Sequence, residues 1–368
     1  MTDKMNTSNR KIEHLTLCAT HEVEAHNDEH GHRRTGFDDI SFIHNALPQI
    51  NMDKIETTID FLGEKFAFPL LISSMTGGHP DTLEVNRALA LAAEEMQIGI
   101  GVGSQRAALE DPALEDSFRV VRDSAPDIFV FGNLGISQIQ EYGIEGVEQA
   151  VEMIDADAIA IHLNFLQEAV QPEGNTNARG GLELIRQVCQ SMNIPVIVKE
   201  TGCGISYKVA QVLCDAGVSA IDVGGLGGTS WAGVEVYRAK EQGANLCERL
   251  GNLFWDWGIP TPISVIESSI SVPVIATGGI RTGMDIAKSL AVGASLCGTA
   301  LPLIKPALSG SKEVIKRLRT MLEELKVVMF LTGYDTIEDL MQAPVVITGR
   351  TAKYLNERGF NTKHFAER

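Results

Sequence analysis

The sequence predicts an α/β protein built as a TIM-type (β/α)8 barrel, and three observations carry that expectation. Eight short apolar runs recur along the chain, amphipathic stretches separate most of them, and the runs end in glycine or polar residues. Near-continuous apolar strands alternating with helices describe a parallel sheet covered on both faces. The seventh run, Pro273 to Ala276, enters Thr277-Gly-Gly-Ile-Arg281, and the eighth ends in Gly298-Thr-Ala300 about one helix later. Two successive strand ends that offer glycines to a phosphate belong after strands seven and eight of such a barrel. A doubly wound open sheet has similar units, but it places its Gly-rich turn after the first strand and rarely reaches eight units.

In chain order, residues 1–66 read as an arm and a barrel-capping hairpin. Met1 to Asn9 is polar and reads as loose. Arg10-Lys-Ile-Glu-His14 gathers two cations and a histidine, either a solvated surface or a basic arm folded over an anionic ligand. His21 to His32 is rich in histidine and carboxylates, yet its spacings match no zinc pattern, so a solvated loop is the better reading. Thr57 to Phe68 alternates and turns at Gly63, which predicts a hairpin able to plug the barrel bottom.

The barrel is expected over residues 67–345. Its strands are placed at Pro69–Thr76, Ile98–Gly103, Asp127–Asn133, Ala158–Asn164, Pro195–Lys199, Ala220–Gly225, Pro273–Ala276 and Ser295–Thr299. Helices are expected over Asp81–Met96, Gly143–Ile154, Gly180–Met192, Ser206–Ala216 and Asp285–Val292. The gap between strands six and seven is about twice the usual length, so an insertion is placed at about 229–271. Closing helices follow over Pro302–Met341, and 346–368 reads as a C-terminal tail.

Composition limits function. A formal charge of −17 argues against nucleic acid, and an anionic substrate would need local cations. The six cysteines form no CxxC pair, and neither a signal core nor a membrane-length apolar run is present. Those features predict a soluble cytoplasmic protein with reduced thiols and no membrane partner.

The strand C-terminal ends form the active face of this fold. They carry Ser74, Met75, Thr76, Ser104, Gln105, Arg106, Asn133, His162, Asn164, Lys199, Thr229 and Arg281. His162-Leu-Asn-Phe-Leu-Gln-Glu168 offers one carboxylate beside amides, which suits a Mg2+ that keeps several waters and is completed by substrate phosphates; a capping Glu and a core His is the alternative. Lys199 ends strand five, where a cation can stabilise an anionic reduced flavin or a phosphate, or simply pair with Glu200. In Gly224-Gly-Leu-Gly-Gly-Thr-Ser-Trp231-Ala-Gly-Val-Glu235 the glycines permit close approach of a flat ligand, and Trp231 offers a π face to a carbocation-like or apolar group.

With these stretches together, the chain resembles the type 2, flavin-dependent isopentenyl-diphosphate isomerases. The resemblance rests on Arg10 to His14, Thr35-Gly-Phe-Asp-Asp39, Ser74 to Gly78, Gly101 to Arg106, His162 to Glu168 and Val198-Lys-Glu200. It continues through Gly202 to Ser206, Gly227 to Trp231, Trp257 to Thr261 and Thr277 to Arg281, spanning about residues 10–301. Cys203 stands where the family has a bulkier residue, Ser74 where it often has a smaller one, and the histidine-rich segment is no family feature.

The resemblance implies FMN at the barrel mouth. Its phosphate would lie on Gly278, Gly279, Arg281, Ala300 and Leu301, and its ring against Ser74, Met75, Thr76, Ser104, Asn133, Lys199 and Thr229. It implies Mg2+ held through Glu168, and a diphosphate substrate bound by Arg10, Lys11, His14, Arg106, His162, Asn164, Gln167 and Ser206. The implied reaction converts isopentenyl to dimethylallyl diphosphate without net redox change, with NADPH or NADH as reductant of the flavin. The implied catalytic set is Gln167, Glu168, His162, Lys199 and Trp231, in a homo-oligomer, tetramer or octamer. Apart from Cys203, no Cys or Tyr sits among these strand ends to act as a strong acid toward an alkene, which favours a cofactor as acid–base centre. The alternative is an FMN barrel oxidoreductase of the α-hydroxy-acid oxidase kind, but the end of strand seven reads Ile275-Ala-Thr-Gly-Gly-Ile, without the His base that chemistry needs. A non-catalytic flavin or phosphate binder would not require Arg10, His162, Gln167 and Glu168 together.

Overall fold

A computed structural model describes residues 2–27, 31 and 35–368, with backbone only for residues 2–7. Eight parallel strands close a barrel: Leu70–Ile72, Gly99–Gly101, Val130–Gly135, Ala158–Leu163, Val196–Glu200, Ala220–Asp222, Val274–Ala276 and Leu296–Thr299. The eighth closes on the first, with Cys297 opposite Leu70 and Thr299 opposite Ile72. All eight predicted strands are present, several shorter than their apolar runs. The difference is physical: residues such as Ser73–Thr76 and Val223–Gly225 leave the ladder to line the mouth.

The helices lie close to their expected bounds, at Leu83–Met96, Gly181–Ser191, Tyr207–Asp215 and Gly283–Ala291. Ile136–Ile154 begins about two turns earlier than expected and is broken at Gly143, whose φ of 66° and ψ of −163° leave the helical region. The insertion folds as Trp231–Glu241, Asn245–Leu253 and Thr261–Ser268. Gly233 lets the first of these lie directly on the Trp255 ring.

The hairpin is Ile59–Phe61 paired with Glu64–Phe66, joined through Leu62 and Gly63 with φ of 51° and 89°. Two positive φ values give the turn whose twist matches paired strands. Phe66 packs where a side chain on Gly99 would stand, and its ring meets Phe61 and Phe129 at 6.1 and 5.9 Å. Gly99 and Phe129 lie at the start of strands two and three, so the hairpin closes the bottom.

Two ends of the chain differ from expectation. The polar start is not loose: Thr2–Thr20 is one helix, and Ser8 Oγ donates to the Gly78 carbonyl at 2.7 Å beside the end of strand one. The C-terminal segment carries a strand, Val345–Ile347, antiparallel to Ile40–Phe42, and a helix, Gly349–Glu357. Its Arg358 donates to both oxygens of the buried Glu267 at 2.9 and 3.0 Å. Its polarity is that of an outer layer, not of a detached tail. Among the described residues no helix is long and apolar enough to cross a membrane.

Candidate active site

The C-terminal ends of all eight strands open into one cavity of about 1540 Å3 of empty space, its open mouth included. The N-terminal helix roofs it with Arg10, Lys11, His14, Leu15 and Cys18. Of the strand-end and site residues named from the sequence, the cavity gathers all but Gln105 and Ser206. The Gln105 side chain is buried, donating to the Ala150 carbonyl at 2.7 Å and accepting from the Asn133 amide at 2.8 Å. Ser206 lies outside the lining and precedes the helix Tyr207–Asp215 as its N-terminal flank. One loop turn separates it from Glu200 and Gly202, which do line the cavity.

One side of the cavity is glycine-rich. Gly278 and Gly279 take φ of 103° and 81°, reserved in practice for glycine, and a Cβ on Gly278 would overlap the Gly225 carbonyl. Gly228 lies against Gly279, Thr261 Oγ1 donates to the Gly278 carbonyl at 2.6 Å, and the helix Leu301–Ser309 starts beside them. Arg281 joins this group, its Nε donating to Glu24 at 2.8 Å. Around the mouth, the buried hydroxyls of Ser73, Ser74 and Thr76 have no hydrogen-bond partner. Buried polar atoms left unpaired are costly, so these three hydroxyls mark where a polar ligand belongs.

The fourth strand carries the next group. Asn133 Nδ2 donates to the Val102 carbonyl at 3.2 Å, which turns its Oδ1 to His162 Nδ1 at 2.9 Å. His162 therefore carries its proton on Nδ1. Burial, then the charges of Lys199 and Lys11, push its pKa well below the usual histidine value, so the ring is neutral. Gly135 has no side chain, and the space holds His162 Nε2 and Gln138 Oε1. Asn164 Nδ2 donates to Gln167 at 3.3 Å and to Glu168 Oε1 at 3.0 Å. Glu168 Oε2 accepts from Gln171 Nε2 at 2.9 Å and from the Asn175 amide at 2.6 Å.

Cations crowd the roof. Burial, then Arg10 and Arg106, lower the Lys11 ammonium to about 7. Arg106 is steadied by Glu110 at 2.6 Å and Arg10 by Glu173 at 3.6 Å. On strand five, Lys199 Nζ donates to the Glu200 carbonyl at 3.1 Å, not to its carboxylate. That carboxylate instead accepts the amides of Thr201, Gly202 and Cys203, and burial still raises it to about 7.

Sequence reasoning placed Glu235 at the end of the glycine-rich stretch but gave it no role; it is fully buried in the insertion helix. Its Oε1 meets His14 Nε2 at 3.1 Å and Gln167 Nε2 at 2.8 Å, and its Oε2 accepts Arg238 Nη1 at 2.6 Å. Burial would raise this carboxyl, but His14, Arg238 and Gln167 outweigh burial and hold it at about 2. Burial lowers the pKa of His14 itself against the pull of Glu235, and its ring edge lies on Trp231 at 5.2 Å. The one signal in the sequence was a lone carboxylate one turn after Trp231 and three residues before an arginine.

The histidine-rich segment holds no metal cluster among the described residues; His30 and His32 lie outside them. His26 instead pairs with Asp256 at 3.0 Å and stacks on Trp255 at 4.9 Å. Val23 and Ala25 hydrogen-bond to the Gly228–Ser230 loop, so this segment straps the glycine-rich wall.

A (β/α)8 barrel with a glycine cradle after strands seven and eight defines the class of FMN-dependent-dehydrogenase barrels, and the description "FMN-dependent dehydrogenase" matches residues 166–347. Solved structures of this architecture are similar in fold: a flavocytochrome b2 variant at 17% identity and TM-score 0.68, covering 93% of this chain and 84% of its own. A mandelate oxidase variant follows at 18% and 0.59, covering 95% and 98%. Isopentenyl-diphosphate delta-isomerases are far nearer in sequence. The one from Methanosarcina acetivorans is 61% identical over 98% of this chain and 97% of its own, and that from Archaeoglobus fulgidus 52% over 96% and 100%. The chain belongs to the type 2 isopentenyl-diphosphate delta-isomerase family.

Proposed function

We propose that the protein moves the double bond of isopentenyl diphosphate to give dimethylallyl diphosphate, reversibly, with reduced FMN and Mg2+. The observation that carries this reading is a single cavity with two anion sites. The glycine cradle at Gly278, Gly279 and the start of helix Leu301–Ser309 suits the phosphate of a flavin nucleotide. Across from it Arg10, Lys11 and Arg106 stand close enough for their charges to lower Lys11, which suits a diphosphate.

The residues fit FMN. The unpartnered Ser74 and Thr76 hydroxyls, Met75, Ser104, Asn133 and Thr229 would hold its ring, and Lys199 would favour its anionic reduced form. Reduced by NADPH or NADH, the bound flavin would supply the acid–base centre for the allylic proton shift. Magnesium fits less completely. Glu168 is the one carboxylate of its cluster, and the buried Gln171 Oε1 beside it lacks a partner, so a hydrated Mg2+ completed by phosphate oxygens is the arrangement these oxygens suit.

The side chains divide the remaining work. Neutral His162 presents Nε2, and Asn164 and the cationic roof bind the diphosphate. Gln167 shares Glu235 with His14, whose ring lies on Trp231, and Gln167 and Glu168 would assist in taking a proton from the allylic carbon or returning it. The Trp231 face shields the apolar tail and any positive charge it develops. An oxidase of α-hydroxy acids is disfavoured, because Ala276, Thr277 and Gly278 end strand seven without a histidine base.

The test is an anaerobic assay with FMN, NADPH, Mg2+ and isopentenyl diphosphate, following product and flavin spectrum together. Dimethylallyl diphosphate without stoichiometric NADPH consumption is expected. A flavin spectrum with no product overturns the isomerase reading.

A further inference from the structure

Arg238 is 2% exposed and lies outside the cavity lining, yet three elements of the site meet on its guanidinium. Nη1 donates to Glu235 at 2.6 Å, one turn earlier on the same helix. Nε donates to Glu13 of the N-terminal helix at 3.1 Å. Nη2 donates to Glu173, in the loop after helix Phe165–Val170, at 2.7 Å, and that carboxylate is shared with Arg10 at 3.6 Å. A planar fork with donors in three directions can hold three carboxylates at once, which an ammonium cannot do in one geometry.

We propose that Arg238 is a positioning residue of the isomerase: it fixes Glu235, and through it His14 and Gln167, while docking the N-terminal helix over the barrel mouth. The inference rests on the isomerase reading above. Its logic is electrostatic and geometric together. An ionised Glu235 accepts from both His14 Nε2 and Gln167 Nε2, so the Gln167 amide is held with its oxygen toward Asn164. A protonated Glu235 would itself become a donor and would break that order. The groups facing Glu235 are His14 from the N-terminal helix, Gln167 from helix Phe165–Val170 and Arg238 from its own helix. Arg10 faces His14, while Glu13 and Glu173 share the guanidinium. Arg238 is the permanently charged partner of this buried carboxylate, beside the His14 and Gln167 hydrogen bonds that also favour its ionised form. Removing it would take away the fixed charge beside a buried carboxylate, so the carboxyl would hold its proton to higher pH.

The experiment compares wild type with Arg238→Met, Arg238→Lys and Glu13→Gln as full-length, FMN- and Mg2+-loaded enzymes. It reads kcat and KM for isopentenyl diphosphate across about pH 5.5 to 9, and hydrogen exchange of the peptide covering residues 2–20. Arg238→Met is expected to lose about 100-fold in kcat, the scale set by misplaced catalytic groups. Its acid limb should move toward neutral pH, and the N-terminal helix should exchange faster while barrel strands keep their protection. Arg238→Lys should return the acid limb toward wild type without restoring helix protection, which separates charge from geometry. Should Arg238→Met fail to fold, Glu13→Gln, which alters a half-exposed side chain, still tests docking through faster exchange of residues 2–20. A wild-type pH profile together with wild-type helix protection in Arg238→Met overturns the proposal, as does unchanged exchange in Glu13→Gln if Arg238→Met is unfolded. Absence of turnover in the wild type instead sinks the isomerase reading, and the exchange comparison then stands by itself.

Discussion

The carboxylate of Glu24 sits on the guanidinium of Arg281, with both Nε and Nη2 donating to the same oxygen. Glu24 belongs to the strap over the glycine-rich wall, and its backbone bridges to Thr229. A flavin phosphate on that wall would share Arg281 with this anion. Glu24→Gln is therefore expected to tighten FMN binding two- to fivefold, the scale of about 0.2–1 kcal/mol for a partly exposed ion pair. Fluorescence titration of the apo-protein measures it. Weaker FMN binding would mean that Glu24 aims the guanidinium and does not compete for it.

Lys11 makes substrate binding depend on pH. With its free-enzyme pKa at about 7, it is mostly neutral at pH 8, and a diphosphate beside it favours the charged form. Binding at pH 8 should take up close to one proton, and affinity should fall as pH rises through about 7. Calorimetry in buffers of different ionisation enthalpy reads the proton directly. Lys11→Met should abolish the uptake; persistence would assign it to another group.

Glu168 anchors Asn164, Gln171 and the Asn175 amide from one carboxylate. Glu168→Gln is expected to keep FMN, whose proposed contacts are elsewhere, and to lose Mg2+-dependent turnover by about 100-fold or more. Full activity in that variant would remove Glu168 from the mechanism.

Glu200 predicts a slope in stability. Its carboxyl is raised from 4.5 to about 7 in the folded state, so that state holds the proton more tightly than the unfolded chain. Stability should fall as pH rises from about 4.5 to about 7, because above that range both states are ionised and the folded one bears the desolvation. Glu200→Gln should remove the slope and gain at pH 8, on the order of 3 kcal/mol at most. Denaturant unfolding at pH 5 and pH 8 gives the comparison. Equal slopes in both proteins would mean the three backbone amides fully offset burial.

The barrel was legible because its code is local. Val274–Ala276 and Ala158–Leu163 are apolar without alternation, and Gly278, Gly298 and Gly103 mark where the backbone turns into the mouth. The lining followed from position at strand ends, which is why so many of its residues were named beforehand. Ser206 fell outside because a loop turn separates it from strand five, and strand proximity says nothing about which way such a turn runs. The roles of Glu235 and Arg238 were unreadable for the opposite reason. Their partners Glu13 and His14 lie more than 200 positions away, so no periodicity links them. The N-terminal helix escaped notice because its first residues lack an apolar stripe, and its docking rests on polar contacts such as Ser8 to Gly78.

The pairing of Ile40–Phe42 with Val345–Ile347 also orders events during synthesis. The partners are roughly 300 positions apart, so the first strand waits unpaired until the second has been made. The helix that roofs the cavity must likewise wait for residues 231–238 before Glu235 and Arg238 can receive it. A nascent chain therefore carries its cationic roof without these partners until residues 231–238 have emerged. The cavity is roofed only once that helix and the eighth strand, Leu296–Thr299, exist, so partial products lack a working site even when their early strands have formed.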